Sequence, residues 1–375
     1  MTSTPITVRT LVVKIGTTLL TTDTGFDGRI LEQIVKELAL LKRERELNIL
    51  IVSSGAIGCG MDVLKLTNRP KVLPLKQATA AVGQARLMHY YEVLFQTYGE
   101  GLHTAQVLIT AGELDDRSTY LNIRNTLHAL FDMKHVIPVI NENDSVATDE
   151  LRFGDNDTLA ARVAAKVDAD LLILLSDIDG LYDQDPRTHP EARLIEHVEQ
   201  LTPEIEALAV DTTTQTSIGG MKTKISAARI ACAAGLPMAI ADGRRPNVIH
   251  DVLSQKGPMT WFGKAAVSLP HRKRWIAFGR TSRGEIRIDD GACRALLQGG
   301  KSLLAAGVTD VTGTFPEGAA VRVTDAKGQA IATGLVNYGS EQLARIKGCK
   351  SHEIEAILGR KDFDEVIHRD NLVLL

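Results

Sequence analysis

Apolar runs and helical repeats alternate along roughly the first 260 residues. Short apolar runs bounded by polar residues or glycine predict buried strands at 11–15, 49–52, 107–109, 136–140, 171–175 and 238–240. Between them, apolar residues recur at helical spacing, as in Ile30, Ile34 and Leu38. Because buried runs joined by helices are typical of parallel strands, we predict an α/β fold with an open, mostly parallel sheet sandwiched by helices.

The pattern changes after about residue 262. A basic stretch, HRKR, occupies 271–274, and short strand-like runs then follow at 284–288, 308–312, 320–323 and 330–336. Closely spaced short strands with turn residues between them indicate a small β-rich domain. We therefore predict an α/β domain at 1–262, a linker at 263–282, a β-rich domain at 283–361 and a C-terminal tail at 362–375.

Composition narrows the class of protein. No run of about 18 apolar residues is present, so we expect no membrane span. The first residues lack the pattern of a secretory signal, and the four cysteines form no C-x-x-C pair. This cysteine usage argues against a zinc ribbon or a disulfide framework and predicts a cytoplasmic protein.

Charge is unevenly distributed along the chain. The net charge is −3, but residues 271–375 contain 16 basic and 13 acidic residues, a balance of +3. A mildly basic C-terminal third permits contact with nucleic acid without demanding it. Only 4% of the residues are aromatic, which argues against a base-stacking platform.

The segment 138–161 carries two Asn/Asp clusters, NEND at 141–144 and GDND at 154–157. It contains six carboxylates and three asparagines but a single basic residue, Arg152. One cluster ends a predicted strand and the other begins a predicted helix, where open α/β sheets bind ligands. We therefore predict a site for a cationic group, a metal–phosphate or both, whereas solvation explains Asp149 and Glu150 better.

Lysines next to glycines recur at the same predicted sheet edge. Lys14 precedes the Gly16 turn, and a double glycine at 219–220 leads into a helix with Lys222 and Lys224. The glycine-rich segment 53–60 and an aspartate turn at 176–180 follow two other strands. Helix N-termini and glycine turns bind anions, so two lysine–glycine sites favour a phosphate ligand. Taken singly, each segment is also explained as a snorkelling lysine, a tight turn or a solvated loop.

These motifs, in this order, resemble the amino acid kinase family. The matching segments are VVKIGT at 12–17, VSSGAIGCG at 52–60, AAVGQARL at 80–87, VINENDSVAT at 139–148, GDNDTLAA at 154–161, LLSDIDGLYDQDPR at 174–187 and GGMKTK at 219–224. The segments HRKRWIAFG, GEIRIDDGA and HRDNLV resemble a PUA domain, a fold otherwise associated with RNA-modifying proteins. The resemblance covers nearly the whole chain and implies an amino acid kinase fold with an appended PUA domain.

The resemblance implies ATP-dependent phosphorylation of the side-chain carboxylate of L-glutamate to L-glutamyl 5-phosphate, the first step of proline biosynthesis. It makes Lys14, Lys224 and Asp157 catalytic, and places Ser54, Asp144 and Asn156 at glutamate. The residues expected at ATP are Lys14, Gly16, Ser176, Asp177, Ile218, Gly219, Gly220, Met221, Lys222, Thr223 and Lys224. Two of these, Ile218 and Lys222, replace the smaller residues that the family commonly has there.

The chemistry needs no general base, because a glutamate side chain with a pKa of about 4.3 is already ionised. Lys14, Lys224 and Mg²⁺ on the nucleotide phosphates would offset the repulsion between two anions, and we expect no all-protein metal site. The acidic loops would then bind the α-ammonium group of glutamate.

The resemblance also implies partners and leaves alternatives. It implies a homo-oligomer, a dimer or a tetramer, with proline as a feedback inhibitor bound at loops between residues 110 and 160. An acetylglutamate kinase or an aspartate kinase is the alternative within the family. The acidic loops argue against the first, and the lack of tandem regulatory domains argues against the second. An RNA-binding protein acting through the PUA-like domain is the alternative from another class.

Overall fold

The computed structural model describes residues 7–22, 25–147, 156–209, 220–263, 282–297 and 299–374. The chain divides into two compact units, Met1–Ser268 and Leu269–Leu375. Most of the expected linker, residues 264–281, lies outside the described ranges. Each unit has its own sheet and its own buried apolar core.

Six of the strands described in the first unit coincide with the apolar runs predicted from the sequence. The described strands are β1 (Thr10–Ile15), β2 (Thr21–Thr22), β3 (Gly25–Phe26), β4 (Asn48–Val52), β5 (His103–Ile109), β6 (Val136–Glu142), β7 (Leu171–Ser176), β8 (His197–Val198), β9 (Met238–Asp242) and β10 (Thr260–Phe262). Eight of them form one sheet in the order β5-β6-β4-β1-β7-β9-β10-β8, and β2 pairs with β3. Neighbours in the large sheet are parallel except β9 and β10. The prediction of a mostly parallel sheet is confirmed.

Helices connect these strands. The described helices are α1 (Thr17–Leu20), α2 (Arg29–Arg45), α3 (Ala56–Val63), α4 (Leu73–Tyr98), α5 (Ala111–Asp115), α6 (Arg117–Asp132), α7 (Asn156–Lys166), α8 (Pro203–Ala207), α9 (Met221–Ala233) and α10 (Val248–Leu253). The long helix α4 has Pro74 in its first turn, where a missing N–H costs no helical hydrogen bond. None of the helices in the described ranges is long and apolar enough to cross a membrane.

The inner strands of the large sheet are covered on both faces. Every residue of β1 and β7 is buried, including both alternating sets of side chains. A strand with apolar residues on one face only would leave the other face in water, so these continuous apolar runs require helices on both sides. On one side, Leu31, Ile34 and Leu38 of α2 are fully buried against the sheet core.

Strand β1 lies between β4 and β7, so the chain leaves β1 toward one side of the sheet first and the other side later. All three strands are parallel, and their carboxyl ends lie at one edge. Reversal of strand order at this position opens a crevice that commonly binds ligands. Lys14, Ser53 and Ser176 lie at or just beyond these strand ends.

The second unit contains a five-stranded sheet. Its strands are β11 (Glu285–Ile288), β12 (Val308–Thr312), β13 (Ala320–Thr324), β14 (Ala330–Leu335) and β15 (Leu372–Leu374), in the order β12-β11-β13-β14-β15. Its helices are α11 (Asp290–Leu297), α12 (Ser340–Ile346) and α13 (Ile354–Leu358), with short 3₁₀ turns at Ala305–Gly307, Ser351–Glu353 and Arg369–Asn371. The expected small β-rich domain is confirmed.

The segment that the sequence analysis treats as a tail, 362–375, contributes to this sheet. Strand β15 pairs antiparallel with β14, and Val373 lies opposite Thr333. Val366 and Ile367 are fully buried in the core of the unit. Three residues of strand are too few for an alternating pattern to be recognised in the sequence, whereas the paired backbone defines the strand in the structure.

Candidate active site

Two buried lysines share one buried aspartate near the carboxyl edge of the large sheet. Lys14 Nζ is 2.6 Å from Oδ1 of Asp157, and Lys224 Nζ is 3.6 Å from Oδ2. Asp157 is 0% exposed, Lys14 6% and Lys224 5%. Thr223 Oγ1 also donates a hydrogen bond to Asp157 Oδ2, at 2.8 Å. Lys14, Asp157 and Lys224 therefore form one unit, named here the lysine–aspartate cluster.

Electrostatics make this cluster suitable for an anion. Burial raises the pKa of Asp157, but the ammonium groups of Lys14 and Lys224 outweigh burial and hold that pKa below its ordinary value. The carboxylate is therefore ionised at neutral pH, and two cations with one anion leave the cluster a formal charge of +1. Because the lysines are largely removed from water, they attract a phosphate more strongly than surface lysines do.

Three elements bring the cluster together. Lys14 is the fifth residue of β1, Asp157 lies in the first turn of α7, and Lys224 lies in the first turn of α9. Helices α7 and α9 pack against each other, and both bury small side chains, which permit a close approach: Ala160, Ala161, Ala164, Ala227, Ala228 and Ala231. The alanine-rich sequence of both helices thus has a structural reason.

The backbone N–H of Gly16 has a hydrogen-bond partner that the sequence analysis did not predict. We expected N–H groups of this turn to face an anion, but the N–H of Gly16 donates to the carbonyl of Leu175 at 3.1 Å. A Cβ at Gly16 would lie 3.1 Å from that carbonyl oxygen and 3.7 Å from Lys14 Nζ. A side chain at this position would therefore crowd the Leu175 carbonyl and lie against the Lys14 ammonium group, and glycine avoids both contacts. Its contact with ATP stays a prediction.

On the other side of β1, Ser176 and Asp177 follow the end of β7. Asp177 Oδ1 accepts hydrogen bonds from Thr18 Oγ1 at 3.2 Å and from Ser176 Oγ at 3.1 Å. Burial raises the pKa of Asp177, but its own backbone N–H and these two hydroxyls outweigh burial and lower it. Arg244 donates to the Asp177 carbonyl and pairs with Asp242, which ends β9. These groups border the cluster on the side where the sequence predicts the nucleotide.

The predicted nucleotide segment before α9 is described only in part. Ile218 and Gly219 lie outside the described residues. Gly220 caps α9 in an extended conformation, Met221 is buried, and Lys222 is exposed whereas Lys224 is buried. Residues two apart on a helix point in different directions, so Lys222 does not share the buried face of Lys224.

A second group of predicted residues lies around Asn156, the residue before Asp157. The Asn156 side-chain nitrogen donates to the carbonyl of Ser53, to Ser54 Oγ at 3.1 Å and to Asn141 Oδ1 at 2.8 Å. Asn141 belongs to β6, and Ser53 and Ser54 follow β4. The structure thus brings Ser54 and Asn156 together, and the first turn of α7 joins this group to the lysine–aspartate cluster.

Asp144 lies two residues beyond the end of β6. It is half-buried and belongs to a turn in which the N–H groups of Val146 and Ala147 both donate to the carbonyl of Asn143. The turn therefore keeps the backbone of Asp144 close to the end of the strand that carries Asn141. The stretch 148–155, with the Gly154 and Asp155 of the second cluster, lies outside the described residues.

Sequence reasoning missed three participants in this region. Gln84 of α4 accepts a hydrogen bond from Asn141 at 2.8 Å, and Tyr91 of α4 pairs with Ser53 Oγ at 2.8 Å. Arg244, already described, is the third. The available signal for Gln84 was a lone amide on the buried face of α4, between Ala80 and Leu87.

Among the described residues, the carboxylate of the lysine–aspartate cluster already has cationic partners. No group of three or more His, Cys, Asp or Glu side chains suited to a metal ion occurs in the described residues. Both oxygens of Asp157 face lysines, which leaves this carboxylate unsuited to a cation. A Mg²⁺ held chiefly by nucleotide phosphates and water fits this arrangement, because Mg²⁺ usually keeps several waters.

Comparison with known proteins covers both units. The sequence profile of the amino acid kinase family matches residues 9–242, and that of the PUA domain matches residues 284–358. Glutamate 5-kinase of Caldanaerobacter subterraneus subsp. tengcongensis is 48% identical over 97% of both chains. The Carboxydothermus hydrogenoformans glutamate 5-kinase is 49% identical over 98% of both chains. That of Thermus thermophilus is 46% identical over 97% of this chain and 96% of its own.

Proposed function

Because the chain belongs to the amino acid kinase family and, within it, to the glutamate 5-kinases, we propose that it phosphorylates the side-chain carboxylate of L-glutamate with ATP. The product is L-glutamyl 5-phosphate, the first intermediate of proline biosynthesis. One observation carries the proposal beyond the family relationship. Consecutive residues at the start of α7 serve two neighbouring sites: Asn156 holds the Ser53–Ser54 turn, and Asp157 holds two lysines.

The nucleophile is an oxygen of the glutamate side chain, which attacks the γ-phosphorus of ATP. The bond between that phosphorus and the β–γ bridging oxygen breaks, and ADP leaves with the electron pair. The carboxylate is ionised at neutral pH, so no residue has to remove a proton. Catalysis then depends on positioning the two anions and stabilising the charge on the transferring group.

Lys14 and Lys224 supply that stabilisation as fixed cations. Charged groups held in place before the reaction need no reorganisation when charge moves between the nucleotide and the acceptor. Asp157 acts as the positioning residue, since one carboxylate holds both ammonium groups within 4 Å of its oxygens. Mg²⁺ bound to the nucleotide would add positive charge at the phosphates. Ser176 and Asp177 are proposed at the nucleotide, together with the Gly220–Lys224 turn.

Ser54, Asp144 and Asn156 are proposed to hold glutamate. This set of residues favours a substrate with a free α-ammonium group, because Asp144 carries a negative charge and follows the strand whose Asn141 bonds to Asn156. N-acetylglutamate lacks this charge, and aspartate is one methylene shorter than glutamate. A site built to pair with a polar group rejects analogues that leave its own groups unpaired.

The test is an assay of ADP release with glutamate, N-acetylglutamate and aspartate as acceptors. We expect kcat/KM for glutamate to exceed the other two by about 100-fold or more, as for other sites that hydrogen-bond a substrate group. Equal or better turnover of N-acetylglutamate or aspartate would assign the chain to another carboxylate kinase.

Regulation and assembly are further parts of the proposal. Free proline added to the same assay is expected to inhibit in competition with glutamate, since we place its site in the overlapping loops between residues 110 and 160. We also propose a homo-oligomer, a dimer or a tetramer, to be measured by sedimentation equilibrium. Inhibition that glutamate does not relieve would place proline elsewhere, and a monomer at micromolar concentration would exclude the assembly.

A further inference from the structure

Buried amide groups form a chain from helix α4 to the proposed glutamate site. Gln84 Nε2 donates to Gln106 Oε1 at 3.2 Å, and Gln84 Oε1 accepts from Asn141 Nδ2 at 2.8 Å. Asn141 Oδ1 in turn accepts from Asn156 Nδ2 at 2.8 Å. Gln84 and Asn141 are buried, and Asn156 is half-buried at the end of the chain. Each amide thus orients the next.

Two backbone groups fix the direction of this chain. The N–H of Glu142 donates to Asn141 Oδ1 at 2.9 Å, and the carbonyl of Ser53 accepts from Asn156 Nδ2. A backbone N–H only donates and a carbonyl only accepts, so neither asparagine amide has the opposite orientation. The nitrogen of Asn156 is therefore directed into the protein. Its oxygen, Oδ1, accepts no hydrogen bond from any residue that the structure describes.

We propose that Gln84 is a positioning residue for the amino-acid substrate: through Asn141 it fixes the Asn156 amide so that Oδ1 is left to accept from the substrate's α-ammonium group. The inference rests on the proposed function and deepens it, because it assigns a substrate group to a particular atom. An amide oxygen accepts hydrogen bonds from an ammonium group, whereas it repels a carboxylate. The substrate carboxylates must therefore be bound by other groups.

Gln84 reaches this position because helices α3 and α4 touch through their backbones. A Cβ on Gly83 would lie 1.8 Å from the carbonyl oxygen of Ala56, and one on Gly60 would lie 1.9 Å from that of Thr79. Only glycines allow such an approach. The next residue after Gly83 is Gln84, which consequently lies beneath the end of β6 and supplies the acceptor that Asn141 needs.

Removal of the Gln84 oxygen leaves the Asn141 nitrogen buried without an acceptor, and such a group is costly. Asn141 cannot relieve this by turning over, because its nitrogen would then face the Glu142 N–H. We therefore expect Gln84→Met, which keeps the length of the side chain, to loosen Asn141 and with it Asn156. The substitution should therefore weaken binding of the substrate's α-ammonium group and leave binding of the nucleotide unchanged.

The experiment compares two acceptors, glutamate and glutarate, which is glutamate without its amino group. We expect Gln84→Met to lower kcat/KM for glutamate about tenfold or more through KM, and to change the value for glutarate less than twofold. The KM for ATP should stay within twofold. Where glutarate is not turned over, its inhibition constant against glutamate replaces kcat/KM in the comparison.

Gln96→Met is the matched control, because Gln96 lies on the same helix, is exposed and donates only to Glu92 in the described part of the chain. This control should change kcat/KM by less than twofold for glutamate and for glutarate. Equal losses for glutamate and glutarate with Gln84→Met would reduce Gln84 to a structural role and overturn the inference, as would no loss for glutamate. Gln84→Leu, subject to the same criteria, is the second variant should the first not fold.

Failure of this inference is distinct from failure of the proposed function. A wild-type protein that does not phosphorylate glutamate contradicts the function itself. If the wild-type protein phosphorylates glutamate but Gln84→Met affects glutamate and glutarate equally, only the positioning role of Gln84 is contradicted.

Discussion

The two halves of the proposed active site are built from different kinds of side chain. The phosphate half, the lysine–aspartate cluster, places three charged side chains out of water within 4 Å contacts. The amino-acid half is built largely from neutral amides and hydroxyls of Gln84, Asn141, Asn156 and Ser54. Charged side chains are thus concentrated in the half where the proposed phosphoryl transfer moves charge. Directional hydrogen bonds are concentrated in the half that must distinguish glutamate from similar acceptors.

This difference has an energetic reason. A buried charge is costly unless it is paired, so the phosphate half needs Asp157 to keep two lysines in place before any substrate binds. A buried amide is costly unless both its donor and its acceptor find partners, so the amino-acid half needs a continuous chain of such groups. The first half should therefore respond to changes of charge, and the second to changes that preserve charge but remove an oxygen.

Loss of a lysine from the phosphate half should have the largest effect. We expect Lys224→Ala to lower kcat by about 10²–10³, the usual cost of removing one group that stabilises transition-state charge. Arg229→Ala removes an exposed cation from the same helix and is the control, with kcat within twofold. Steady-state kinetics at saturating ATP and glutamate measure both, and near-normal turnover without Lys224 would make that lysine structural.

Neutralisation of the shared carboxylate comes next. Asp157→Asn keeps the shape but leaves two buried ammonium groups facing an amide, and we expect it to destabilise the fold by about 3 kcal/mol. The pKa of Asp157 is lowered, so its contribution is complete at neutral pH and is lost only as the pH falls below the ordinary range of an aspartate. Urea unfolding at pH 7 measures the loss, and a variant as stable as the wild type would show that the lysines do not depend on Asp157.

A smaller effect is expected from the one carboxylate proposed in the amino-acid half. Asp144→Ala should raise KM for glutamate about tenfold, which corresponds to about 1.4 kcal/mol, and change KM for ATP much less. Asp144→Asn is the isosteric comparison. If the charge of Asp144 attracts the α-ammonium group, KM for glutamate should rise equally in both variants. If Asp144→Asn keeps the wild-type KM, hydrogen bonding alone is sufficient to bind that group. An unchanged KM for glutamate in both removes Asp144 from the site.

A buried carboxylate outside both halves offers a contrast with Asp157, because burial dominates its pKa, and the expected effect is on stability and not on turnover. Glu37 of α2 accepts from the N–H of His250, and burial raises its pKa to about 7. A raised pKa means that this group favours folding most at low pH, and that the advantage is lost as the pH rises through 7. Between pH 5 and pH 8, Glu37→Gln should therefore remove about 1–2 kcal/mol of pH-dependent stability, measured by urea unfolding. Equal pH dependence in both proteins would show that Glu37 does not titrate in this range.

Much of the fold could be predicted from the sequence, because the spacing of apolar residues reflects which side of a strand or helix is buried. The continuous apolar runs of β1, β4 and β7 predicted strands buried on both faces, and the long helical stretch from Pro74 corresponds to α4. Strand β15 escaped prediction because its three residues carry no readable period. Its existence depends on pairing with β14, which is distant in the chain.

The candidate site divides in the same way. Lys14, Asp157 and Lys224 were identifiable, because a charge within an apolar strand or at the start of a helix is locally unusual. Gln84 was not identified, because a glutamine is common in a helix and the buried position of this one is a much weaker signal than a buried charge. Gly16 was expected to offer its N–H to an anion, but the neighbouring strand β7 accepts that hydrogen bond.

The sequence by itself indicated the main strands and helices, an α/β region followed by a β-rich one, and the family, because periodicity and motifs are properties of neighbouring residues. The tertiary structure decided which side chains share a partner and which way each amide faces. One carboxylate between two lysines, and one asparagine amide held by its nitrogen, arise only when β1, β4, β6, α4, α7 and α9 meet. Ion pairing and hydrogen-bond direction depend on atoms from distant parts of the chain, so no pattern of neighbouring residues predicts them.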